Sequence, residues 1–120
     1  MKIIITSTGD NLDSEIDQRF GRSAIFILYD TGDDSFSVID NKQNIESSSG
    51  AGIQTAQNII NAGAEIVITP NCGPKAFRVL KTAGVKIYSC KEGKVKDAIE
   101  DFKNCRLNEI SEANVEGHWI

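Results

Sequence analysis

The stretch IVITPNCGP, residues 66–74, decides the fold of this chain. Its apolar part, Ile66-Val67-Ile68, is a continuous hydrophobic run, which is typical of a strand covered on both faces in a parallel sheet. Gly73 and Pro74 then mark the start of a helix, because proline favours the first helical position. The stretch therefore predicts a central β-α unit of an α/β protein.

The same reasoning, applied outward from this stretch, predicts the remaining strands and helices. Short apolar or alternating runs predict strands, whereas apolar residues at i, i+3, i+4 and i+7 predict helices. The clearest helix begins at Val95, where Ala98, Ile99 and Phe102 share one face. The predicted strands cover residues 2–8, 24–29, 36–40, 66–68 and 85–89, and the predicted helices cover residues 51–62, 74–83 and 95–102.

The order of these elements, β-β-β-α-β-α-β-α, predicts a ribonuclease H-like three-layer α/β fold. The first three strands pair as antiparallel neighbours, and right-handed crossovers join the later ones. We expect a mixed sheet of five strands in the order 3-2-1-4-5, with strand two antiparallel to the rest and helices on both faces. Residues 1–110 are expected to form one α/β domain, and residues 111–120, which show no periodicity, a partly mobile tail.

Composition excludes several classes of protein. The chain has 120 residues, of which 40% are hydrophobic and 25% charged, as in an ordinary globular domain. The net charge of -4, with no long run of Lys or Arg, argues against a nucleic-acid partner. No apolar run reaches the length of a signal peptide core or a membrane span, which predicts a cytoplasmic protein without a membrane partner.

Three loops of the predicted fold converge on one edge of the sheet. Ligands of open α/β sheets bind outside the carboxyl ends of strands where the strand order reverses, here between strands one and four. Residues 7–11 and 71–74 follow those two strands, and residues 47–52 precede the first helix. Two of these loops lead into helix N-termini, whose N–H groups attract anions. The candidate ligand-binding residues in them are Ser49, Gly50, Ala51, Gly52, Asn71, Gly73 and Pro74. Alternatively, the glycines serve only tight turns and close packing.

Two thiols and two arginines complete the candidate site. Cys72 lies where strand four meets a helix N-terminus, which can lower a thiol pKa, and Cys90 ends strand five. Parallel neighbours would place both thiols on one edge, about 5 to 10 Å apart, as candidate ligands of a shared metal cluster. Arg19 and Arg22 precede strand two at the same edge and could face the same ligand. Each thiol could instead be a buried small hydrophobe, and each arginine a solvated loop residue.

The other cysteine and the histidine are weaker candidates. Cys105 ends the last predicted helix and is expected at the opposite end of the sheet. The three cysteines include no close pair, which predicts reduced thiols rather than a disulfide framework or a zinc knuckle. His118, next to Trp119 in the tail, could contact a metal or a partner protein.

Catalytic machinery is not evident in the sequence. Strand one, Lys2–Thr8, lacks the carboxylate that a ribonuclease H-type nuclease needs for its metal ions. His118 is the only histidine for a hydrolytic triad, and Cys72 as a nucleophile would need another base. We therefore assign no catalytic residue and do not expect an enzyme, and a thiol-dependent enzyme remains the third option.

Four motifs resemble the dinitrogenase iron-molybdenum cofactor biosynthesis family. They are DNLDS at 10–14, RFGR at 19–22, GAGIQTA at 50–56 and NCGPKAF at 71–77, in the order of that family and over about residues 2–110. The resemblance implies a ribonuclease H-like fold and the binding, carriage or storage of an anionic cluster. The cargo would be an iron-sulfur or molybdenum-iron-sulfur cluster or a cofactor precursor, exchanged with a cluster-assembly or acceptor protein.

Departures from the family pattern limit the resemblance. Members often carry a histidine before the Gly-Ala-Gly motif, and here that position is Ser49. The chain also lacks a Cys-x-x-x-Cys-x-x-Cys triplet, so it would receive or hold a cluster rather than build one. The alternative interpretation is a regulatory or protein-interaction module of the same fold that binds no cluster.

Overall fold

The computed structural model describes residues 1–45 and 51–113. Its strands are β1 (Lys2–Ser7), β2 (Ile25–Asp30), β3 (Ser35–Asp40), β4 (Ile66–Thr69), β5 (Lys86–Ser89) and β6 (Asn108–Glu109). Its helices are α1 (Lys42–Ile45), α2 (Ala51–Asn61), α3 (Pro74–Thr82) and α4 (Val95–Lys103), with a 3-10 helix, η1, over Phe20–Arg22.

The strands form one mixed sheet in the order β3-β2-β1-β4-β5-β6. β1 is parallel to β4, and β4 to β5, whereas β2 is antiparallel to both of its neighbours. The predicted α/β class, ribonuclease H-like arrangement and order 3-2-1-4-5 are confirmed. The added strand, β6, runs antiparallel to β5.

Helices cover both faces of this sheet, which explains the continuous apolar runs in β1 and β4. Ile4 and Val67 pack against α2 and α3 on one face. Ile3 and Ile5, which point the other way along β1, pack with Ile68 against α4. A strand buried on both sides cannot alternate apolar and polar residues, so its sequence is apolar throughout.

A glycine in the left-handed backbone conformation follows α2, as the sequence predicts for Gly63. Gly63 has φ +89, a conformation that glycine adopts without steric cost, and its N–H donates to the carbonyl of Ile60 at 3.0 Å. The chain then reverses into β4. This C-cap therefore fixes where the central strand begins.

The segment after α4 contains an element that the sequence did not predict. Asn108 and Glu109 form β6, and the N–H of Ile110 donates to the carbonyl of Ile87 at 2.9 Å. Ile110 and Ala113 pack against the core on the α2 and α3 side. A strand of two residues is too short to show a sequence period. Residues 114–120, including His118 and Trp119, lie outside the described residues.

Within the described ranges, no helix has the length and apolar character needed to cross a membrane.

Candidate functional site

The carboxyl ends of β1 and β4 lie side by side, with Ile5 paired to Ile68. Because α2 leads into the amino end of β4 and α3 leaves its carboxyl end, both helices begin at this same edge. α2 and α3 also pack against each other. The structure therefore brings together the two helix N-termini that the sequence predicted at this edge.

The N-terminus of α3 has backbone N–H groups without helical partners. Gly73 is the N-cap residue and Pro74 follows it, and no side-chain cap forms among the described residues. The first hydrogen bond of the helix runs from the N–H of Phe77 to the carbonyl of Gly73 at 3.0 Å. The N–H groups of Lys75 and Ala76 precede that bond, so neither has a helical carbonyl partner. An anion bound at this edge would accept hydrogen bonds from these two N–H groups.

The N-terminus of α2 is only partly described. Ala51 and Gly52 are buried in its first turn. Ser49 and Gly50, which the sequence places in the same site, lie outside the described residues. The small residues at 51 and 52 are consistent with close packing, which is the alternative that the sequence left open.

The RFGR motif is joined to the NCGP loop through the backbone. Arg19 and Asn71 form an isolated parallel β-bridge, and the N–H of Phe20 donates to the carbonyl of Asn71 at 3.1 Å. In return, Asn71 Nδ2 donates to the carbonyl of Gln18 at 2.9 Å. Two motifs that are distant in sequence thus form one rigid unit beside α3.

The two arginines of this unit have different surroundings. Arg19 is exposed, and its guanidinium has no hydrogen bond or ion pair with the described residues. Arg22 is also exposed, but its Nη1 donates to the carbonyl of Ile45 at 3.0 Å. Arg19 is therefore the arginine whose guanidinium has no hydrogen-bond partner among the described residues, whereas Arg22 is bonded to the last residue of α1.

A buried polar network centred on Asn41 connects the segment after the RFGR motif to the neighbouring helices. The sequence analysis did not identify Asn41 as a functional residue. Asn41 is fully buried, and its Nδ2 donates to the carbonyl of Ser23 and to Thr55 Oγ1, both at 2.9 Å. Its Oδ1 accepts from Asn44 and Asn58. Asn41 therefore links the segment after η1 to α1 and α2. The only signal in the sequence was an asparagine directly after a predicted strand.

A second network lies at the ends of β1 and β4. Thr6 Oγ1 donates to the carbonyl of Asp17 at 2.7 Å and contacts Thr69 Oγ1 at 3.3 Å. Burial raises the pKa of the Asp17 carboxyl, and the N–H and charge of Arg19 oppose that rise. The loop that carries Arg19 is thereby fastened to the two central strands.

Cys72 is a core residue. It is fully buried among the residues that α2 and α3 cover, and its Sγ donates to the carbonyl of Gly73 at 3.7 Å. Burial raises the pKa of this thiol from 9.0 to about 12. The sequence allowed either a lowered pKa at a helix N-terminus or a buried thiol, and burial shifts this pKa upward by desolvating the thiolate.

Cys90 lies on the other side of the sheet. It is half-buried and packs against the core that α4 covers, and burial together with the charge of Asp101 raises its thiol pKa to about 12. With Lys91 and Arg106 it lines a cavity of about 500 Å³. The structure does not bring Cys72 and Cys90 together on one face, so the expected shared cluster is not supported by their placement.

The remaining cysteine is placed as expected. Cys105 is exposed and lines a cavity with Met1, which precedes β1 at the amino edge of the sheet. None of the three cysteines forms a disulfide. In residues 1–45 and 51–113, no three His, Cys, Asp or Glu side chains form a group that could hold a metal ion.

Fold and edge together define a small ribonuclease H-like α/β protein in which α2 and α3 both begin at the carboxyl edge of β1 and β4. The family model described as dinitrogenase iron-molybdenum cofactor matches residues 1–104. The chain therefore belongs to the dinitrogenase iron-molybdenum cofactor family. The resemblance seen in the four sequence motifs is confirmed.

Solved structures share the whole fold. The apo form of the orange protein from Desulfovibrio gigas has a TM-score of 0.92 and 34% identity, covering 95% of this chain and 96% of that one. A NifB candidate protein from Thermotoga has a TM-score of 0.85 and 37% identity, covering 97% of this chain and 98% of that one.

A relative is also found by sequence. An uncharacterized protein of Methanocaldococcus jannaschii is 28% identical over 102 residues, which are 81% of this chain and 84% of that protein.

Proposed function

We propose that this protein binds and carries an anionic iron- or molybdenum-containing sulfide cluster, or a precursor of such a cofactor. The binding place is the carboxyl edge of β1 and β4. The observation that carries the proposal is the backbone bridge between Arg19 and Asn71, which joins an exposed arginine to the loop that leads into the uncapped N-terminus of α3. Membership in a family described by the iron-molybdenum cofactor supports a metal cluster as the anion.

The chemistry of this edge suits an anion held from outside by hydrogen bonds. The N–H groups of Lys75 and Ala76 and the guanidinium of Arg19 are donors, and charge-assisted bonds of this kind are the stronger ones. The neutral, buried thiol of Cys72 does not suit a metal in the described conformation. We therefore assign the first contacts to these donors, and ligation by Cys72 or Cys90 only to a rearranged, loaded state.

We further propose that the protein is a carrier without catalysis of its own. The dinitrogenase iron-molybdenum cofactor family and the apo structure of the orange protein support a protein that takes up and releases a ligand. A cluster-assembly or acceptor protein is the partner that this role requires. The cytoplasmic location expected from the sequence also stays a prediction.

Anaerobic reconstitution with iron, sulfide and molybdate tests the proposal. We expect a coloured protein with bound metal. In Arg19→Gln the Kd for the cluster should be at least about tenfold higher, because one charge-assisted contact is lost. Arg78→Gln is the matched control, because Arg78 is an exposed arginine beside Val79 and Thr82, farther along α3. A colourless product without metal would contradict the proposal.

Cysteine variants test the ligand assignment in the same assay. Cys72→Ala and Cys90→Ala are compared with Cys105→Ala after circular dichroism has shown that each variant folds. If Cys72 or Cys90 ligates the loaded cluster, its variant loses metal while Cys105→Ala keeps it. If all three variants bind as the parent does, the cargo is held without thiolate ligands.

The second candidate function is a protein-interaction module of the same fold that binds no cluster. The burial of Cys72 and the raised thiol pKa values of Cys72 and Cys90 favour it over a thiolate-ligated site. A pull-down with and without metal, under reducing and oxidising conditions, separates the two candidates. A carrier captures its partner only when loaded, whereas a module does so without metal.

A further inference from the structure

β3 is the outer strand of the sheet on the side away from β6. It pairs with β2 along its whole length, from Ser35 opposite Asp30 to Asp40 opposite Ile25. No strand in the described part of the chain pairs with its other edge. A row of backbone donors and acceptors is therefore open on this side.

The ladder shows which residues present those open groups. The N–H of Asn41 donates to the carbonyl of Ala24 at 2.8 Å, continuing the pairing of β3 with β2. Antiparallel pairs alternate between bonded and non-bonded, so Ser37 and Ile39 also bond toward β2. Phe36 and Val38, which alternate with them, point their N–H and C=O groups outward.

The same two residues carry an exposed apolar strip. Phe36 is 42% and Val38 is 44% exposed, although their partners in the register, Tyr29 and Ile27, are buried on the α4 side. Edge strands are usually protected by lysine, proline or a bulge. β3, with the sequence SFSVID, has none of these in its interior. An open backbone edge and an apolar strip thus coincide.

Carboxylates lie at both ends of this strip. Asp33 accepts hydrogen bonds from the N–H and hydroxyl of Ser35, and Asp40 accepts from the N–H of Lys42, but neither forms an ion pair with the described residues. The charge at each end is therefore free to attract a cation. Asp34, by contrast, is paired with Lys103 at 2.8 Å.

Charge disfavours a second copy of the chain as the occupant. Antiparallel self-pairing with Phe36 opposite Val38 would place Asp40 of each copy opposite the acidic turn of the other copy, beside its Asp33, and neither carboxylate has an ion pair within the described ranges. Like charges directly opposite each other destabilise a strand pair. Each copy also carries a net charge of -4.

We infer that β3 is a docking edge for an extended segment of another protein, which has apolar residues at alternate positions and Lys or Arg at both ends. The segment adds a strand to the sheet by bonding to the backbone of Phe36 and Val38. Its apolar side chains cover the strip, and its basic ends meet Asp33 and Asp40. This goes beyond cargo binding and does not depend on it.

A peptide titration tests the inference on the full chain. The peptide is Lys-Thr-Val-Thr-Val-Thr-Lys with blocked ends, which puts both lysines on the face of the valines; it is added to about 1 mM and followed by NMR of the isotope-labelled protein. We expect shift changes centred on β3 and slower amide exchange at Phe36 and Val38, whereas the amide of Ser37, already bonded to β2, changes little. The same peptide with Glu at both ends is the matched control and should bind at least tenfold more weakly.

Variants make the result specific. Val38→Lys, a change at an exposed position, should raise the Kd at least tenfold, whereas Ile53→Lys, at an exposed apolar residue of α2, should leave it unchanged. Asp33→Asn with Asp40→Asn keeps the local hydrogen bonds and should remove the preference for basic ends. The inference is overturned by no binding, by shift changes elsewhere, by equal binding of both peptides, or by dimers that Val38→Lys abolishes.

Discussion

At the scale of single residues, the thiol of Cys72 lies beneath the loop that begins α3. Removing its proton would leave a thiolate among the apolar side chains that α2 and α3 cover, and this cost raises its pKa to about 12. Cys90 reaches a similar value on the other face, where Asp101 adds repulsion. Both thiols are therefore neutral at physiological pH.

Thiol labelling of the native protein should distinguish the three cysteines. At about pH 8, iodoacetamide is expected to modify the exposed Cys105 first, because Cys72 and Cys90 are shielded and the thiolate is the reactive form. Mass spectrometry of digested samples measures each site, and labelling in denaturant should make the three rates similar. Modification of native Cys72 as fast as Cys105 would contradict its buried placement.

The raised pKa values also give stability a pH dependence. Above about pH 9 the unfolded thiols lose protons while the folded Cys72 and Cys90 keep theirs up to about 12, so the unfolded state binds fewer protons. The free energy of unfolding should therefore be fully retained below about pH 9 and fall as the pH rises toward 12. Urea denaturation should show a shallower fall in Cys72→Ala than in Cys105→Ala. Equal slopes would contradict this assignment.

At the scale of elements, Asn41 joins the end of β3 to α1 and α2 and to the segment that follows η1. Four side-chain hydrogen bonds converge on this one buried amide. These hydrogen bonds fix the position of α2 relative to the RFGR motif. The position of the candidate site therefore depends on a residue that does not contact the proposed cargo.

Asn41→Ala should lower the free energy of unfolding by about 2 kcal/mol, because it leaves the buried Ser23 carbonyl and Thr55 hydroxyl without their donor. Asn44→Ala is the matched control, since Asn44 is only half-buried and makes one of these bonds, and it should cost less. Urea denaturation measures both. Equal losses would show that the network does not centre on Asn41.

The elements that the sequence predicted are those with a period or an apolar run. β4 and α4 belong to this group, as does the C-cap at Gly63. η1, α1 and β6 are too short to carry a period. The faces on which Cys72 and Cys90 pack were not predictable either, because that choice depends on the path of each loop after its strand ends. Arg19 and Asn71 were placed at one edge by topology, but their backbone bridge was not foreseen.

At the scale of the whole molecule, cargo binding should stabilise the fold. A ligand that binds only the folded state adds about 2.7 kcal/mol at a free concentration of 100 times its Kd. Anaerobic thermal unfolding with and without reconstitution should show a higher midpoint in the loaded parent and a smaller rise in Arg19→Gln. The same rise in Arg19→Gln and parent would remove Arg19 from the site.

The bridge between Arg19 and Asn71 also bears on how the protein is made. The two residues meet only after β1, β2 and β4 have come together, because the long intervening chain must close first. A chain still on the ribosome that ends before Asn71 has an arginine but no α3 beside it. If the proposed cargo binds at this edge, we therefore expect a fragment that ends before Asn71 to bind it much more weakly than the full chain does.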